Sequence, residues 1–592
     1  MKQIHSFTIL ILVATLLSAG CDFDALDAGA DQQLIDDDVW ENPQLIQQTL
    51  NGLYGTMGHG LHEIMLASLT DEAHFIHGYG VTEVVQGITT AGYLGAWDED
   101  GLEHFQWGHS YSGISQLNAM IENIDDSAIE DPELIRNIKG ETHFLRAYVY
   151  HNLLRNYGGV PIITRTFALN DDEFLVSRNT FAETVEFIIE EAERAAELLD
   201  PEPGEEGRAS AGAALALKSR VLLYAASDLF HENPASEYTG YTTGNRQMYW
   251  EAARDAARDV MDLGIYSLFN RYEDPVENFT QLFLANEEHE ESIMSRFFRS
   301  DVSSQVISED GYHPGLHNGP NGYQLWGGNT PLPALTDAFR MSDGSPFSWE
   351  NPEHAASPYE SRDPRFYATI LYDGAEWRER TFRGAPHDPQ GVIQTFVEVN
   401  VTDGSSYFGL DARLSPVQRI NHTRTGYYLR KFIDPEVNPL DRRQEVPWRF
   451  FRYAEILLNY AEASLELGDD GEARRVLNLI RERAGMPETI ASGEELKELY
   501  RNERRVELAF EEHRYWDVRR WKIAPETYED IQVLTISVEA EDRMDRETYF
   551  NYSYELGEGV QARRWLDRMY FLPIPEEEIN RNDRLAQNPE YN

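Results

Sequence analysis

The chain has a single cysteine among 592 residues, so an intramolecular disulfide is excluded and packing alone must hold the fold. Lysine is also scarce, because 6 of the 51 basic residues are lysine, and 102 acidic residues set the formal net charge at −51. Nucleic-acid binding, which needs basic patches, is disfavoured by that balance. After residue 20 no apolar run approaches the roughly 20 residues of a membrane-spanning helix.

The acidic surplus stands beside an ordinary supply of apolar residues. Hydrophobic residues make up 41% of the chain and aromatic residues 12%, so the composition is not that of a disordered protein. At 1 M salt the Debye length is about 3 Å, so repulsion between acidic surfaces is largely screened. The composition therefore favours adaptation to high salt. We expect the melting temperature to rise as NaCl goes from low to molar concentration; a flat or falling curve would contradict this.

The N-terminus has the pattern of a bacterial lipoprotein signal. An apolar run over residues 7–17 is too short to span a bilayer, and three small residues then precede Cys21. Leu17 lies four residues before the cysteine, whereas the leucine of a usual lipoprotein signal lies three residues before it. The alternative is an ordinary secretory peptide with a chance cysteine.

The signal pattern divides the first part of the chain. Residues 1–20 are the predicted signal peptide, Cys21 is the predicted lipid attachment point, and the acidic residues 21–43 are a predicted tether. A cysteine that carries several lipid chains would be a stable membrane anchor.

Helical periodicity dominates residues 44–270. In the clearest segment, apolar and aromatic residues recur at three and four positions and predict one packed face: Phe144, Ala147, Tyr148, His151 and Leu154. Gly158 and Pro161 then stop the helix. Further helical patterns cover residues 102–124, 180–199, 211–229 and 249–263.

The remainder changes character twice. Residues 271–448 are rich in Gly, Pro, Asn and aromatic residues, with strand-like pieces at 392–397 and 426–432 among long loops. Helices return at about residue 449, and residues 452–487 form a helix pair in the tetratricopeptide pattern, whose small residues let two helices approach closely. Such a unit needs stacked neighbours to bury its face.

Several runs closely resemble signatures of the SusD/RagB family of outer-membrane nutrient-binding lipoproteins. The longest is Arg501 to Trp521. The others are Arg452 to Ala463, Leu477 to Gly485, Ser361 to Phe366, Phe571 to Ile579, Gln587 to Pro589, Phe144 to Pro161 and Leu217 to Ala226. The resemblance covers nearly the whole chain beyond the signal.

The resemblance implies a mainly α fold, a tetratricopeptide-like helical-repeat scaffold with a loop-rich, mixed ligand-binding part. It divides the chain into helical residues 44–270, loop-rich residues 271–448 and helical residues 449–592. It also implies a protein on the outer face of the outer membrane that passes glycans, or sometimes peptides, to a SusC-like TonB-dependent transporter, with no cofactor. A surface-anchored glycan hydrolase and a helical scaffold without a small ligand are the alternatives.

The long signature is predicted to be structural. Its apolar and aromatic residues supply packing area, and its interleaved Arg and Glu can pair at three or four positions, at about 0.2–0.5 kcal/mol a pair. An anion-binding arginine cluster is the other interpretation.

Motifs of catalysis are missing from the sequence. It contains no His-Glu-x-x-His, no Cys-His cluster and no phosphate loop. His59 with His62, or His74 with His77, has a spacing that could bind a metal, but isolated histidine pairs are more often loop or core residues, and no metal site is predicted.

Two loop regions combine the residues that bind sugars. Aromatic rings pack on apolar sugar faces, and Asp, Asn, Gln or Arg bond the hydroxyl groups. The regions are residues 71–100 and 312–329. From them we predict a platform of Trp97 and Trp326 with Tyr93 and Tyr323 beside it. Asp71, Asp98 and Asn321 are the predicted polar contacts. The alternative is that these rings pack within the loops.

Overall fold

The computed structural model describes residues 37–99, 101–167, 175–300, 312–381, 383–388, 390–402, 404–543, 545–559 and 561–591. The signal peptide and Cys21 lie outside these residues, so their assignment stays a prediction. Among the described residues, no helix is both long and apolar enough to cross a membrane.

Helices form most of the regular structure. Those of seven residues or more in the described ranges are α1 Pro43–Leu53, α2 Trp107–Asn123, α3 Pro132–Tyr157, α4 Phe181–Leu198, α5 Ala211–Ala226, α6 Arg246–Asp262, α7 Pro275–Leu284, α8 Tyr453–Glu466, α9 Asp470–Arg483, α10 Gly493–Glu507 and α11 Arg514–Arg520. The helices expected near 102–124, 180–199, 211–229 and 249–263 are present, as is the pair expected over 452–487.

The helices pack as one array. From α2 to α6 each helix contacts the next; α6 then contacts α8, α8 contacts α9 and α9 contacts α10. The array therefore passes from the first half of the chain to the last across the loop-rich middle. Stacked helix pairs bury faces that one pair alone would leave exposed. This confirms the predicted mainly α, tetratricopeptide-like scaffold.

Helix α3 lies at the centre of this array. Asp131 caps its first turn, and Gly158 ends it with φ +79°. A side chain at Gly158 would collide with the carbonyl of Tyr238, so glycine is required there for space as well as for conformation. All residues from Gly140 to Tyr157 are buried. The five residues expected to pack are therefore buried, but so are the residues on the other faces of the helix from Gly140 onwards, where a single packed face was expected.

Strands are short and few in the described residues. They are β1 Ala73–Phe75, β2 Ser292–Arg296, β3 Asn329–Pro331, β4 Ile370–Leu371, β5 Glu398–Val401, β6 Ser406–Tyr407, β7 Tyr428–Leu429, β8 Trp448–Arg452, β9 Gln532–Ala540 and β10 Tyr549–Glu558. Three two-stranded pairs, β1–β3, β2–β8 and β4–β7, join distant loops, and a mixed sheet has the order β10-β9-β5-β6.

The strand predictions were partly wrong. Of the two strand-like pieces, 392–397 contains one isolated bridge and 426–432 contains only the two-residue β7. The long β9–β10 hairpin was missed. In β9 the apolar Leu534, Ile536 and Val538 alternate with more exposed residues, which is the period of a half-buried strand.

The long signature contains buried charges that pair with distant parts of the chain. Arg452 is the hub: its Nη1 lies 2.7 Å from both Glu291 and Glu507, and its Nε lies 2.6 Å from Glu511. Arg365 contacts Glu507 from another side at 2.9 Å.

Further buried ion pairs extend from this hub along the helices. They are Arg365–Glu503, Arg481–Glu503, Arg483–Glu291, Arg520–Glu462, Arg504–Asp517 and Arg220–Glu455. In the signature only Arg520–Asp517 has the expected short spacing. The expectation of weak local pairs is therefore wrong. The signature joins α8–α11 to residues near 291 and 365, and breaking one buried pair costs about 3–5 kcal/mol.

Candidate functional site

A two-stranded sheet brings the two predicted loop regions together. β1 pairs antiparallel with β3, with Ala73 opposite Pro331 and Phe75 opposite Asn329. Beyond the strands, the backbone amide of Ile76 donates to the carbonyl of Gly328 at 3.1 Å. The loop after β1 and the loop before β3 therefore meet at one surface.

At that surface lie the aromatic side chains that we call the aromatic cluster: His77, Tyr79 and Trp326. The Nε2 of His77 lies 3.0 Å from the carbonyl oxygen of Trp326, and the ring of His77 lies 6.2 Å from that of Tyr79 at an interplanar angle of 28°. Trp326 is partly buried and stacks on His317 at 5.3 Å. Tyr79 is 50% exposed, so at least one ring of the cluster is open to a ligand.

Tyr79 is held in an uncommon conformation. Its φ is +41°, a region that non-glycine residues rarely adopt, and the residues on both sides are glycines with positive φ. A strained residue at the tip of a loop persists only when its surroundings fix it.

Charges of opposite sign flank the aromatic cluster. Glu63 and then burial and Glu99 raise the pKa of Tyr79, and burial followed by Glu83, Glu99 and Asp98 raises the pKa of Tyr93. Burial, opposed by the Trp326 carbonyl and helped by Arg424, lowers the pKa of His77, so its ring is neutral near pH 7. Acidic groups therefore lie towards the tyrosines and a guanidinium lies towards His77.

Two predicted rings are not available for stacking. Trp97 is 1% exposed and packs edge-on against Phe105 and Tyr515 at 5.7 and 5.4 Å. Tyr323 is 0% exposed, and its hydroxyl donates to the carbonyl of Arg378 at 2.9 Å. Both rings fill space beneath the loops, because burying a large aromatic side chain is favourable. The expected platform of Trp97 with Trp326 is therefore wrong.

The predicted polar contacts also have internal partners. Asn321 is fully buried, and its Nδ2 donates to the carbonyl of Gln418 at 2.6 Å. Asp98 is exposed and accepts from the backbone amide of Leu94 at 2.7 Å. Of the predicted residues, Tyr93 and Asp98 are exposed, and Trp326 and Asp71 keep part of their surface accessible.

Asp71 is a counter-ion inside the protein. Its carboxylate accepts from Arg514 at 2.8 and 2.9 Å and lies 2.9 Å from Arg505. Burial would raise the pKa of Asp71, but Arg505 and Arg514 hold it below its usual value. The expected ligand contact is therefore wrong for this side chain, which points into the scaffold.

The segment just before β1 is fixed to the C-terminal part of the chain. Arg563 donates to the carbonyls of Thr70 and Ala73, and the hydroxyl of Tyr528 donates to the carbonyl of Leu69. With the Arg505 and Arg514 contacts, these bonds anchor the base of the loop that carries Tyr79. The scaffold thereby positions the aromatic cluster.

Three of the four histidines whose spacing could bind a metal, His59, His62 and His74, are buried. The rings of His59 and His62 stack in parallel 3.7 Å apart. Within the described ranges, no group of three or more His, Cys, Asp or Glu side chains could hold a metal ion.

Comparison with known families decides the identity of the fold. A profile described as the SusD family matches residues 290–591. The chain belongs to the SusD family. A second profile, described as starch-binding and associating with the outer membrane, matches residues 24–223 of this SusD-family chain.

Individual proteins that resemble this chain are also described as SusD-like. A SusD-like protein of Formosa agariphila is 24% identical over 464 residues, which cover 74% of this chain and 76% of the relative. A SusD-like protein of Bacteroides fragilis has a crystal structure with 29% identity and a TM-score of 0.73, covering 94% of this chain and 98% of that one. A SusD-like carbohydrate-binding protein of the same species has 22% identity and a TM-score of 0.69, covering 93% and 100%.

Proposed function

We propose that this SusD-family protein is a surface-exposed lipoprotein that binds a nutrient glycan and delivers it to a SusC-like TonB-dependent transporter of the outer membrane. Catalysis has no part in this role. Support comes from the family, whose second profile is described as starch-binding and associating with the outer membrane. Structures of similar fold include proteins described as carbohydrate-binding and laminarin-binding.

One observation carries the glycan part of the proposal. Two loops far apart in sequence meet through β1 and β3 and present the aromatic cluster, with Tyr79 half exposed and carboxylates of Glu63 and Glu99 near it. Aromatic faces bind the apolar faces of sugar rings, and carboxylates accept bonds from hydroxyl groups. Because the scaffold fixes these loops before a ligand arrives, little ordering entropy opposes binding.

Native gels that contain a polysaccharide test the proposal directly. We expect retardation of the protein by at least one member of a panel of neutral and charged polysaccharides, without release of new reducing ends. Release of reducing ends would contradict the non-catalytic role and favour a glycan hydrolase. Retardation by no polysaccharide, together with binding of peptides, would replace the glycan by a peptide.

Two further experiments test the membrane part. Cys21→Ser should move the protein from the membrane fraction to the soluble fraction, and a variant that stays bound after a carbonate wash would refute the anchor. A pull-down from native membranes in mild detergent should recover a SusC-like barrel in near-equal amount. Recovery of the protein alone, under conditions that preserve other outer-membrane complexes, would refute the partnership.

A further inference from the structure

A loop segment of this acidic chain contains basic residues but no acidic residue; residues 142–170, 207–227 and 311–336 lack acidic residues as well. Residues 412–433 contain four arginines and one lysine but no Asp or Glu, although 102 of the 592 residues of the chain are acidic. At that frequency, a stretch of this length would hold about four acidic residues. The local charge therefore has the opposite sign to the protein as a whole.

Three of these arginines are exposed and unpaired. Arg413, Arg419 and Arg424 are on the surface, and none of their side chains makes a hydrogen bond or ion pair with any residue in the described ranges. Lys431, by contrast, is buried and lies 2.7 Å from Glu511. We call residues 412–424 the arginine loop.

The arginine loop is fastened to the loop that carries Trp326. The Nδ2 of Asn321 donates to the carbonyls of Ala412 and Gln418, at 3.3 and 2.6 Å, and so fixes both ends of the turn between them. The hydroxyl of Tyr428 in turn donates to the Oδ1 of Asn321 at 2.8 Å. Asn321, expected to contact ligand, instead positions this turn.

The far end of the loop reaches the aromatic cluster. A side chain at Gly327 would collide with the carbonyl oxygen of Asn421, so the two backbones are in contact beside Trp326. Arg424 is close enough to His77 to help burial lower the pKa of that ring. Burial lowers the pKa of His422, and Arg424 and Arg413 act in the same direction, so both guanidinium groups lie near His422.

We propose that the arginine loop is the anion-binding side of the glycan site and that the ligand is an acidic polysaccharide bearing carboxylate or sulfate groups. This rests on the proposed function, in which the aromatic cluster binds the sugar rings. The guanidinium fork matches the planar geometry of a carboxylate and bonds sulfate or phosphate oxygens in the same manner. Uronate or sulfated sugars present such groups at regular intervals beside a stacked ring.

The net charge of −51 does not oppose this binding at working salt concentrations. The Debye length is about 8 Å at physiological ionic strength, so distant acidic surfaces are screened and the nearest charges dominate. Of these, Glu63 and Glu99 lie on the Tyr79 side of the site and Arg424 lies on the His77 side, which is therefore the side for the anionic groups of the ligand. At low salt the acidic surface would repel a polyanion. The arginine loop therefore selects anionic sugars locally on a protein that otherwise excludes polyanions.

The test uses pairs of polysaccharides that share a sugar backbone and differ in charge. Polygalacturonate is compared with its methyl-esterified form, and ι-carrageenan with its desulfated form, in native gels and by calorimetry at about 0.15 M NaCl, the physiological ionic strength. We expect the full-length protein to bind at least one charged member at least tenfold more tightly than its neutral counterpart. Arg413→Gln/Arg419→Gln/Arg424→Gln should remove that preference.

A matched variant controls for net charge. Arg194→Gln/Arg258→Gln/Arg475→Gln removes the same three charges from the helical array and should leave the preference intact. The salt dependence of affinity should also weaken in the arginine-loop variant, by roughly 0.7–0.9 in the log–log slope for each guanidinium that no longer pairs with an anionic group of the ligand. The arginine-loop variant should melt within a few degrees of the parent, because exposed substitutions change stability by about 0.5 kcal/mol or less. The control variant also loses the surface pairs Arg258–Asp255 and Arg475–Glu472, each worth about 1 kcal/mol or less, so its melting temperature should fall slightly more.

The outcomes separate this inference from the proposed function. If the protein binds neutral and charged members equally, or only neutral ones, the inference is overturned and the proposed function stands. If it binds no polysaccharide, both fail. Equal losses in the two triple variants would overturn the role of the arginine loop. Equally tight binding of single-stranded poly(dT) would replace the acidic glycan by a general polyanion.

Discussion

Arginine serves opposite purposes in two regions of this protein. In the region of the long signature, Arg452, Arg504 and Arg520 are buried and each touches two or more partners on other segments. In the arginine loop, Arg413, Arg419 and Arg424 are exposed, without an ion pair to the described residues. The buried set stabilises the scaffold, whereas the exposed set is free to contact a ligand.

The comparison teaches where information about function lies in this chain. The buried arginines belong to runs that identify the family, and they hold the array and the base of the ligand loop in place. The exposed arginines and Tyr79 lie in loops that carry no family signature. Family membership is therefore read from the scaffold, and we propose that ligand choice is read from the loops attached to it.

The largest expected effect is at the hub of the buried set. Arg452→Met should lower the free energy of unfolding by about 5 kcal/mol, because Glu291, Glu507 and Glu511 lose a shared counter-ion in a buried setting. Denaturant unfolding measures the change. Arg413→Met is the matched control and should be neutral. Equal stability of the two variants would show that the buried network does not hold the scaffold.

Substitution of the two tryptophans of the predicted platform should have different effects. Trp97→Ala should cost about 3–5 kcal/mol of stability, because it leaves a cavity between Phe105 and Tyr515. Trp326→Ala, from a partly exposed site, should cost less stability and more glycan affinity. Thermal melts and gel retention on the same samples measure both. A Trp97→Ala protein that melts normally but no longer binds would return Trp97 to the ligand site.

A buried carboxyl beside Asp71, that of Glu72, should make the stability of the protein depend on pH. Glu72 is 2% exposed, and burial raises its pKa from 4.5 to about 7 despite nearby Arg505 and Arg514. Its contribution to stability is full below about pH 4.5 and is lost as pH rises through about 7, by about 3 kcal/mol. The stability of Glu72→Gln relative to the parent should therefore rise between those two pH values and stay constant at higher pH.

Melting curves from about pH 4.5 to about pH 8.5 measure that gain, because they span the titration of this carboxyl. The exposed Glu186→Gln on α4 serves as the control and should run parallel to the parent at every pH. A Glu72→Gln curve that also runs parallel would mean that Glu72 titrates as an ordinary surface carboxyl.

Sequence reasoning reached the fold, the meeting of the two loops and Trp326, but not the other members of the site. Helix periods, caps and stops were sufficient to place α2–α6 and the α8–α9 pair. The rings of Trp97 and Tyr323 stand in the same glycine-rich setting as Trp326, and only packing against Phe105, Tyr515 and Arg378 decides that they are buried. Asp71 likewise depends on Arg505 and Arg514, which lie 434 and 443 residues away in the sequence.

Some missed features did carry a signal in the sequence. Tyr79 lies between two glycines, Gly78 and Gly80, a pattern typical of a sharply turned loop tip that exposes its side chain. The absence of acidic residues over 412–433 is visible as a local reversal of charge. The ion pairs of the buried set have no such signal, because their partners are set by tertiary packing.

The central claim is that the loops bind the glycan while the scaffold only positions them, and Tyr79 tests it most directly. Tyr79→Asn removes the exposed ring but keeps a residue that tolerates a φ of +41°. Glycan affinity and melting temperature are measured together on this variant. We predict about a thirtyfold loss of affinity, or about 2 kcal/mol, with an unchanged melting temperature. Full affinity in the Tyr79→Asn protein would contradict the claim.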